Sequence, residues 1–330
     1  GRWFGGNADG VHVRSSWMGP WIEGCTIEGI GDDGIAIYGK GIRILEKPSE
    51  TSLRLDGEFF TLKPGTEFLV FDPNTGYPIA EKLTVRSVTE VARDAGPGKH
   101  WLVEFSPGFS QPVATGEKEP WQNSQVFDRS AQHQDFMIRR NVIRQVRRYG
   151  AIIRAVNGAV EENEITQSSD SAITLHNEPR FWRNGLQSEN VLIQNNVIRD
   201  CNFTQSSKNR GSITVLVRKM QLDGQTWTDV PASWRGHRNI VIRNNAISQW
   251  QQRGIMAQSA SKVVVAGNRI TSPLANTLGT SGQYGIYLSD VADAVVEANT
   301  VEVSPSVTEP VAVVRGEAVT VRDNTTFPAP

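Results

Sequence analysis

The chain has 330 residues, with 34 Lys and Arg against 35 Asp and Glu and a formal net charge of −1. That balance shows no basic excess for a nucleic-acid or anionic-membrane partner, and no apolar run approaches the roughly 20 residues that span a bilayer, so a soluble protein is expected. The two cysteines, Cys25 and Cys201, stand outside any CxxC or Cys/His cluster and read as buried small hydrophobes rather than a disulfide or a zinc site.

The sequence begins Gly1-Arg2-Trp3, with neither a charged n-region nor an apolar h-region. No signal peptide is therefore expected within it, and the start reads as an interior cut of a longer polypeptide. A near-repeat follows: Asp9-Gly10-Val11-His12-Val13, then Asp32-Asp33-Gly34-Ile35-Ala36-Ile37, with Gly10 and Gly34 24 residues apart. If successive repeats stack as neighbouring strands, Asp9 and Asp33 stand about 4.8 Å apart, with Asp32 beside them. Like charges that close are costly unless they share a proton, a water or a ligand.

Between Lys40 and about Gln122 this pattern gives way to short alternating strands, among them Thr51-Ser52-Leu53-Arg54-Leu55, Glu67-Phe68-Leu69-Val70-Phe71 and Trp101-Leu102-Val103-Glu104-Phe105. Turn signals separate them, at Asp72-Pro73-Asn74-Thr75-Gly76 and Ala95-Gly96-Pro97-Gly98. Such a segment predicts a small antiparallel barrel or sandwich, inserted because the repeat resumes after it. The division predicted is residues 1–40 for the first coils, 41–122 for the insertion and 123–330 for the remaining coils.

From Phe136 onward one template recurs: apolar, any, Ile or Val, two residues, Asn, any, Ile or Val. Its Asn positions are 141, 163, 196, 245, 268, 299 and 324, and Cys25 takes the same place in Ile22-x-x-Cys25-x-Ile27. A second alternation, usually led by Gly, follows each copy, as in Gly150-Ala151-Ile152-Ile153 and Gly285-Ile286-Tyr287-Leu288. Two or three short strands per 22 to 25 residues, without helical periodicity, predict the coils of a parallel β-helix. Leucine-rich repeats share an Asn and a similar period, but the Ile and Val used here suit strands. The recurrent Asn is expected at a turn, tolerating the left-handed conformation and bonding the amide above and below, with Cys25 a small buried substitute.

Aligning the coils on their Gly positions makes a map of one face. Before the Gly stand Asp9, Asp33, Tyr149, Ser171, Arg253 and Tyr284, and one residue earlier lie Asp32, Arg148 and Asp170. Five residues after the first column come Arg14, Tyr38, Arg154 and His176, expected to point outward, with His12 on the same face. A solvated edge explains any single Arg or His; it does not explain three carboxylates on neighbouring strands. Calcium usually takes 6 to 8 oxygens and no further acidic cluster stands nearby, so neither a metal nor a cofactor is expected. Carboxylates beside a groove suit glycoside hydrolysis, one protonating the leaving oxygen and another activating water, and crowding lifts the pKa of one member. Trp3, Trp17, Trp21, Trp182, Asn177 and Glu178 offer aromatic faces and polar groups that suit a sugar ring.

Asn7-Ala8-Asp9-Gly10-Val11-His12 and Gly31-Asp32-Asp33-Gly34-Ile35, with the insertion following, resemble glycoside hydrolase family 110, inverting exo-α-galactosidases acting on terminal α-1,3-linked galactose. Arg147-Arg148-Tyr149-Gly150-Ala151-Ile152 and Asn177-Glu178-Pro179-Arg180-Phe181-Trp182-Arg183-Asn184-Gly185 resemble its later repeats. The resemblance implies an all-β fold, a right-handed parallel β-helix with an inserted small antiparallel β-barrel, and a catalytic trio of Asp9, Asp32 and Asp33. More distantly the trio is similar to that of polygalacturonases, whose Gly-His-Gly and Arg-x-Lys motifs find no match here. By that similarity Asp32 is the expected general acid, with Asp9 and Asp33 holding the attacking water, and inversion requires acid and base roughly 6.5 to 9.5 Å apart. Substrate contacts are expected from His12, Arg14, Tyr38, Arg148, Arg154, His176, Glu178 and Trp182. The expected partners are a carbohydrate substrate and a second copy in a homodimer, with no nucleic acid and no membrane, in a secreted, periplasmic or extracellular setting. Three alternatives stay open: a β-helix glycosidase of other sugar specificity, a non-catalytic carbohydrate-binding β-helix resembling an adhesin, and a calcium-dependent polysaccharide lyase.

Overall fold

Ile and Val at every second position of short strands give each strand one apolar side, and stacking like on like buries it. In the computed structural model, which describes residues 5–92, 99–116, 119–204, 210–274, 282–305, 307 and 309–328, the register sets Val11 beside Ile35, Ile35 beside Ala151, Ala151 beside Ile173, then Ile213, Ile255, Ile286 and Val311 in turn. Trp3 and the Ala95–Gly98 turn lie outside the described residues. The pairing is parallel at every coil step, so the chain winds as a β-helix whose interior is one continuous apolar column.

Each coil has three faces. The first is built by Val11–Arg14, Ile35–Lys40, Ala151–Ile153, Ile173–His176 and Gly211–Leu216, continued by the leading halves of Arg253–Ala266, Tyr284–Glu297 and Val311–Arg322. The second starts with Trp21–Glu23, Met137–Arg139, Val156–Glu161, Glu189–Gln194 and His237–Arg243, and the third runs from Thr26–Glu28 to Thr325–Pro328.

The Asn column forms a hydrogen-bonded ladder at one corner. Asn141, Asn163, Asn196, Asn245, Asn268 and Asn299 each donate through Nδ2 to Oδ1 of the next Asn at 2.8–3.0 Å, ending on Asn324. The left-handed residue is not the Asn itself but the one before it: Gly24, Arg140, Glu162, Asn195, Asn244, Gly267, Ala298 and Asp323 have φ between +52° and +64°. The corner needs that backbone turn, and the amide that follows it satisfies the buried polar groups. Cys201 is buried as expected, but Cys25 is exposed. It occupies the ladder position of the end coil; its N–H donates to Asn141 Oδ1 at 2.9 Å, and no described coil covers its side chain.

The insertion is a closed six-stranded barrel, ordered Gln125–Asp128, Ile42–Ser49, Ser52–Asp56, His100–Ser106, Tyr77–Val91, Glu67–Asp72. Its last strand lies beyond Gln122 because Val126 and its neighbours pair with both Ile42–Ser49 and Glu67–Asp72 to close the ring. The barrel leaves the solenoid between the first and second faces. So do segment 177–188 and a hairpin, Arg218–Asp223 with Thr226–Pro231, that no sequence pattern announced. Leu69, Phe71 and Phe127 of the barrel pack with Leu186, Val217, Ala232 and Trp234 of these excursions, which fixes the barrel beside the first face. Among the described residues no helix is long and apolar enough to cross a membrane.

Candidate active site

The first face carries the carboxylates, and the stacking repeats one hydrogen bond along it. Asp33 N–H donates to Asp9 Oδ1 at 3.2 Å, and one coil on Tyr149 N–H donates to Asp33 Oδ1 at 3.2 Å. The 24-residue period is thus realised in space. Glycine at position 34 allows the coils to close up here: a Cβ there would lie 2.5 Å from the carbonyl oxygen of Gly150. One carboxylate oxygen from each of Asp9, Asp32 and Asp33 lies within 4.8 Å of the other two. His12 then ties the first carboxylate down, with Nδ1 2.7 Å from Asp9 Oδ2 and Nε2 2.7 Å from the Tyr38 hydroxyl.

The three carboxylates differ in exposure. Asp33's side chain is 7% exposed and Asp32's 34%. Burial pushes Asp33 up to about 8, against the pull of Arg148 and with the help of Glu178, Asp9 and Asp32. The lifted member is therefore Asp33, by burial first and by crowding only second, and it carries a proton at neutral pH. Among the described residues this trio is the one group whose oxygens converge closely enough for a cation.

Glu178 builds the wall. Arg148 reaches its Oε1 at 3.0 Å and Arg154 its Oε2 at 2.7 Å, while Arg148 also approaches Asp32 at 3.4 Å. Burial pushes Glu178 up, but Arg154 and Arg148 outweigh it and hold the carboxyl at about 2. The second column was expected at a solvated, outward edge. Instead Tyr38, Arg154 and His176 are all buried. The cause is segment 177–188, which turns back over the face and pairs antiparallel with it, Asn184 against Lys40 and Gly185 against Gly39.

Under that cover lies a second polar layer. Arg210 donates to Asp170 Oδ2 at 2.7 Å and to the Tyr149 hydroxyl, and burial raises Tyr149 to about 12. His176 stacks edge-on against Tyr149 with ring centroids 5.1 Å apart, and Thr174 bonds its Nδ1 at 2.7 Å. Burial, with Arg210 and Arg154 close by, holds this imidazole well below its ordinary pKa and so neutral.

Of the residues singled out from sequence, Asp9, Asp32, Asp33, His12, Tyr38, Arg148, Arg154 and Glu178 converge on one spot. His176 lies beneath it as support. Arg14 and Trp182 stand at the rim with two residues sequence reasoning missed: Arg14 hydrogen-bonds Tyr38 and packs its guanidinium 4.3 Å from the ring centre of Phe59, a barrel residue, and Lys40 lies 5.2 Å from Phe59 and 5.8 Å from Trp182. Trp17 and Trp21 are exposed, Trp17 packed by Lys63 and Trp21 bonded to the Asp135 carbonyl. Asn177 is structural, bonding both backbone groups of Arg218. Tyr149 and Asp170 were visible in the aligned columns, whereas nothing in the sequence near Arg210 placed it there.

Residues 126–326 match the family model described as right handed beta helix region. Alpha-1,3-galactosidase B of Bacteroides thetaiotaomicron is 24% identical over 303 residues, 91% of this chain and 46% of that protein. Alpha-1,3-galactosidase A of Bacteroides fragilis is 21% identical over 301 residues, covering 90% and 47% respectively. The chain thus spans about half the length of these curated relatives. Among solved structures, the A-module of the Azotobacter vinelandii mannuronan C-5 epimerase AlgE6 aligns with 14% identity and a TM-score of 0.37 over 60% of each chain.

Proposed function

Because this chain belongs to the right-handed β-helix family, we propose that it is a glycoside hydrolase releasing terminal α-1,3-linked galactose from a site on the first face of the solenoid. The names of its two relatives support the bond and sugar. The observation that carries the chemistry is the trio itself: a buried carboxyl that keeps a proton at neutral pH beside a more accessible one, with a third fixed by His12.

The galactosyl ring lies over His12 and Tyr38, against the Arg148–Glu178–Arg154 wall. Glu178, charged and pinned by two guanidinium groups, accepts hydrogen bonds from sugar hydroxyls. Asp33 passes its proton to Asp32, the more exposed of the adjacent pair, which delivers it to the glycosidic oxygen as the bond from that oxygen to C1 breaks. Water held between Asp9 and the Asp33 carboxylate so formed supplies its oxygen to C1 and gives its proton to Asp33, which restores the starting state. Exo action is favoured because the face beyond the trio is filled by Tyr149, Ile152 and His176, all buried, leaving no groove along the axis on that side. A secreted, periplasmic or extracellular setting goes with such a substrate.

Inversion is what the family resemblance implies. One observation favours retention as a second reading: an oxygen of each carboxylate lies within 4.8 Å of an oxygen of the other two, a crowding tighter than the roughly 6.5 to 9.5 Å spacing of inverting pairs. Proton NMR of the first-formed sugar from an aryl α-galactoside separates them. The β-anomer is expected first; the α-anomer first establishes retention. Failure to release galactose from any α-galactoside, with turnover of some other aryl glycoside, overturns the sugar assignment.

A further inference from the structure

Five residues beyond Asp9 along the first strand, about 16 Å at about 3.3 Å per residue, the floor of the site ends in a cluster unlike the rest of it. Arg14 is exposed, sits over the Phe59 ring that the barrel contributes, and hydrogen-bonds the Tyr38 hydroxyl, which carries no counter-charge. Lys40 sits between the Phe59 and Trp182 rings with no better partner than Asn184 Oδ1 at 3.4 Å. Among the described residues neither Arg14 nor Lys40 has a carboxylate within ion-pair distance. The nearby Arg183 is already paired with Glu58 at 2.9 Å, so that pair cancels and the two cations are left over. The ladder and wall of this protein pair their polar groups closely; here two positive charges are kept together, held in place by aromatic rings, and left unmatched.

An ammonium half withdrawn from water without a counter-ion is costly, and Lys40 shows the cost. Burial, with Arg183 and Arg14 adding to it and Glu58 and Glu178 opposing, brings it down to about 8. An anion at this place would restore the lysine's proton affinity and pair the guanidinium. Aromatic faces on both sides suit the apolar face of a sugar ring, and the position continues the floor on which the galactosyl unit lies.

The geometry points to a binding site for an anionic substituent, a sulfate ester or a carboxylate, carried by the carbohydrate substrate and seated between Arg14 and Lys40 with Phe59 and Trp182 as its walls. It rests on the carbohydrate reading above and adds the charge of the substrate to it. The barrel then has a task in recognition: it delivers Phe59, without which Arg14 would have no surface to lie on.

The test measures binding and turnover separately, with three matched α-galactosyl oligosaccharides: neutral, sulfated, and uronate-bearing. By calorimetry at low salt, one of the two anionic ligands is expected to bind about tenfold more tightly than the neutral one, the size of a charge-assisted contact, and to lose that margin as salt rises. Which one gains identifies the substituent. Lys40→Met is expected to bring the anionic-to-neutral ratio close to one, Lys40→Arg to keep it, and Arg14→Met, a surface change that serves if the first variant misfolds, to reduce it. Above about pH 8 the ratio falls in the parent as Lys40 loses its proton. Equal affinity for all three ligands overturns this inference while leaving the galactosidase reading intact. Charge-selective binding without any galactose release does the reverse.

Discussion

Replacing Asp33 with Asn tests the protonation state on which the chemistry depends. Asp33 is pushed up to about 8 from an ordinary 3.8, chiefly by burial. A carboxyl raised in the folded state binds its proton more tightly there than in the unfolded chain. Its contribution is complete below the unfolded pKa and is lost as pH rises to the folded one. At about 1.36 kcal/mol per unit, the stretch from pH 6.5 to 8 removes about 1.5 to 2 kcal/mol. Other groups titrate in or near that window, but parent and variant share them and they drop out of the difference. His133, His176 and His237 are lowered by burial, so their contribution is lost as pH falls through their ordinary 6.5. Glu178, held at about 2, gives way only in acid below its ordinary 4.5, and Lys40, brought down to about 8 from 10.5, acts at and above pH 8. Urea unfolding at pH 6.5, 7, 7.5 and 8 should show the parent losing about 1.5 to 2 kcal/mol more than Asp33→Asn across the series. The variant keeps an oxygen for the Tyr149 N–H, so its own offset is constant and drops out of the slope. Parallel slopes would refute the reasoning, placing no proton on Asp33 at neutral pH.

Four further outcomes are expected. Glu178→Gln leaves Arg154, 1% exposed, facing a neutral partner in a buried pair, and should cost about 3 to 5 kcal/mol in denaturant unfolding. Asn196→Ala removes a ladder rung that donates to Asn245 Oδ1 and the Val160 carbonyl and accepts from Asn163; a loss of about 3 kcal/mol is expected, and a loss below 1 would mean the ladder is decorative. Cys25→Asn supplies the missing end rung above Asn141 and should raise stability by about 0.5 to 1 kcal/mol, read as a shift in unfolding midpoint. Prolonged chelation should leave hydrolysis unchanged, whereas loss of activity restored by calcium, with an ultraviolet-absorbing product, would identify a lyase.

The repeat was legible because it is written in single residues: Asp9 and Asp33 at a fixed interval, and an Asn at each corner. The register confirmed both, since parallel stacking carries sequence position directly into space. The corner chemistry was misplaced by one residue, because a left-handed backbone at Arg140 or Ala298 leaves no mark in side-chain type. The burial of Tyr38, Arg154 and His176 was not legible, because the covering segment 177–188 lies outside the repeat and its return over Gly39 and Lys40 is a tertiary event. Phe59 and Lys40 escaped for the same reason: each gains its meaning only when the barrel is set against the first face.

The most direct test of the whole account is galactose release from a terminal α-1,3-galactosyl oligosaccharide by the parent and by Asp32→Asn, each first shown folded by circular dichroism. The account requires release by the parent and a fall of about 100-fold to 10,000-fold in the variant, the contribution of a positioned acid. A folded variant that works at the parent's rate, or a folded parent that binds the oligosaccharide and never cleaves it, would contradict the claim that these three carboxylates cut a glycosidic bond.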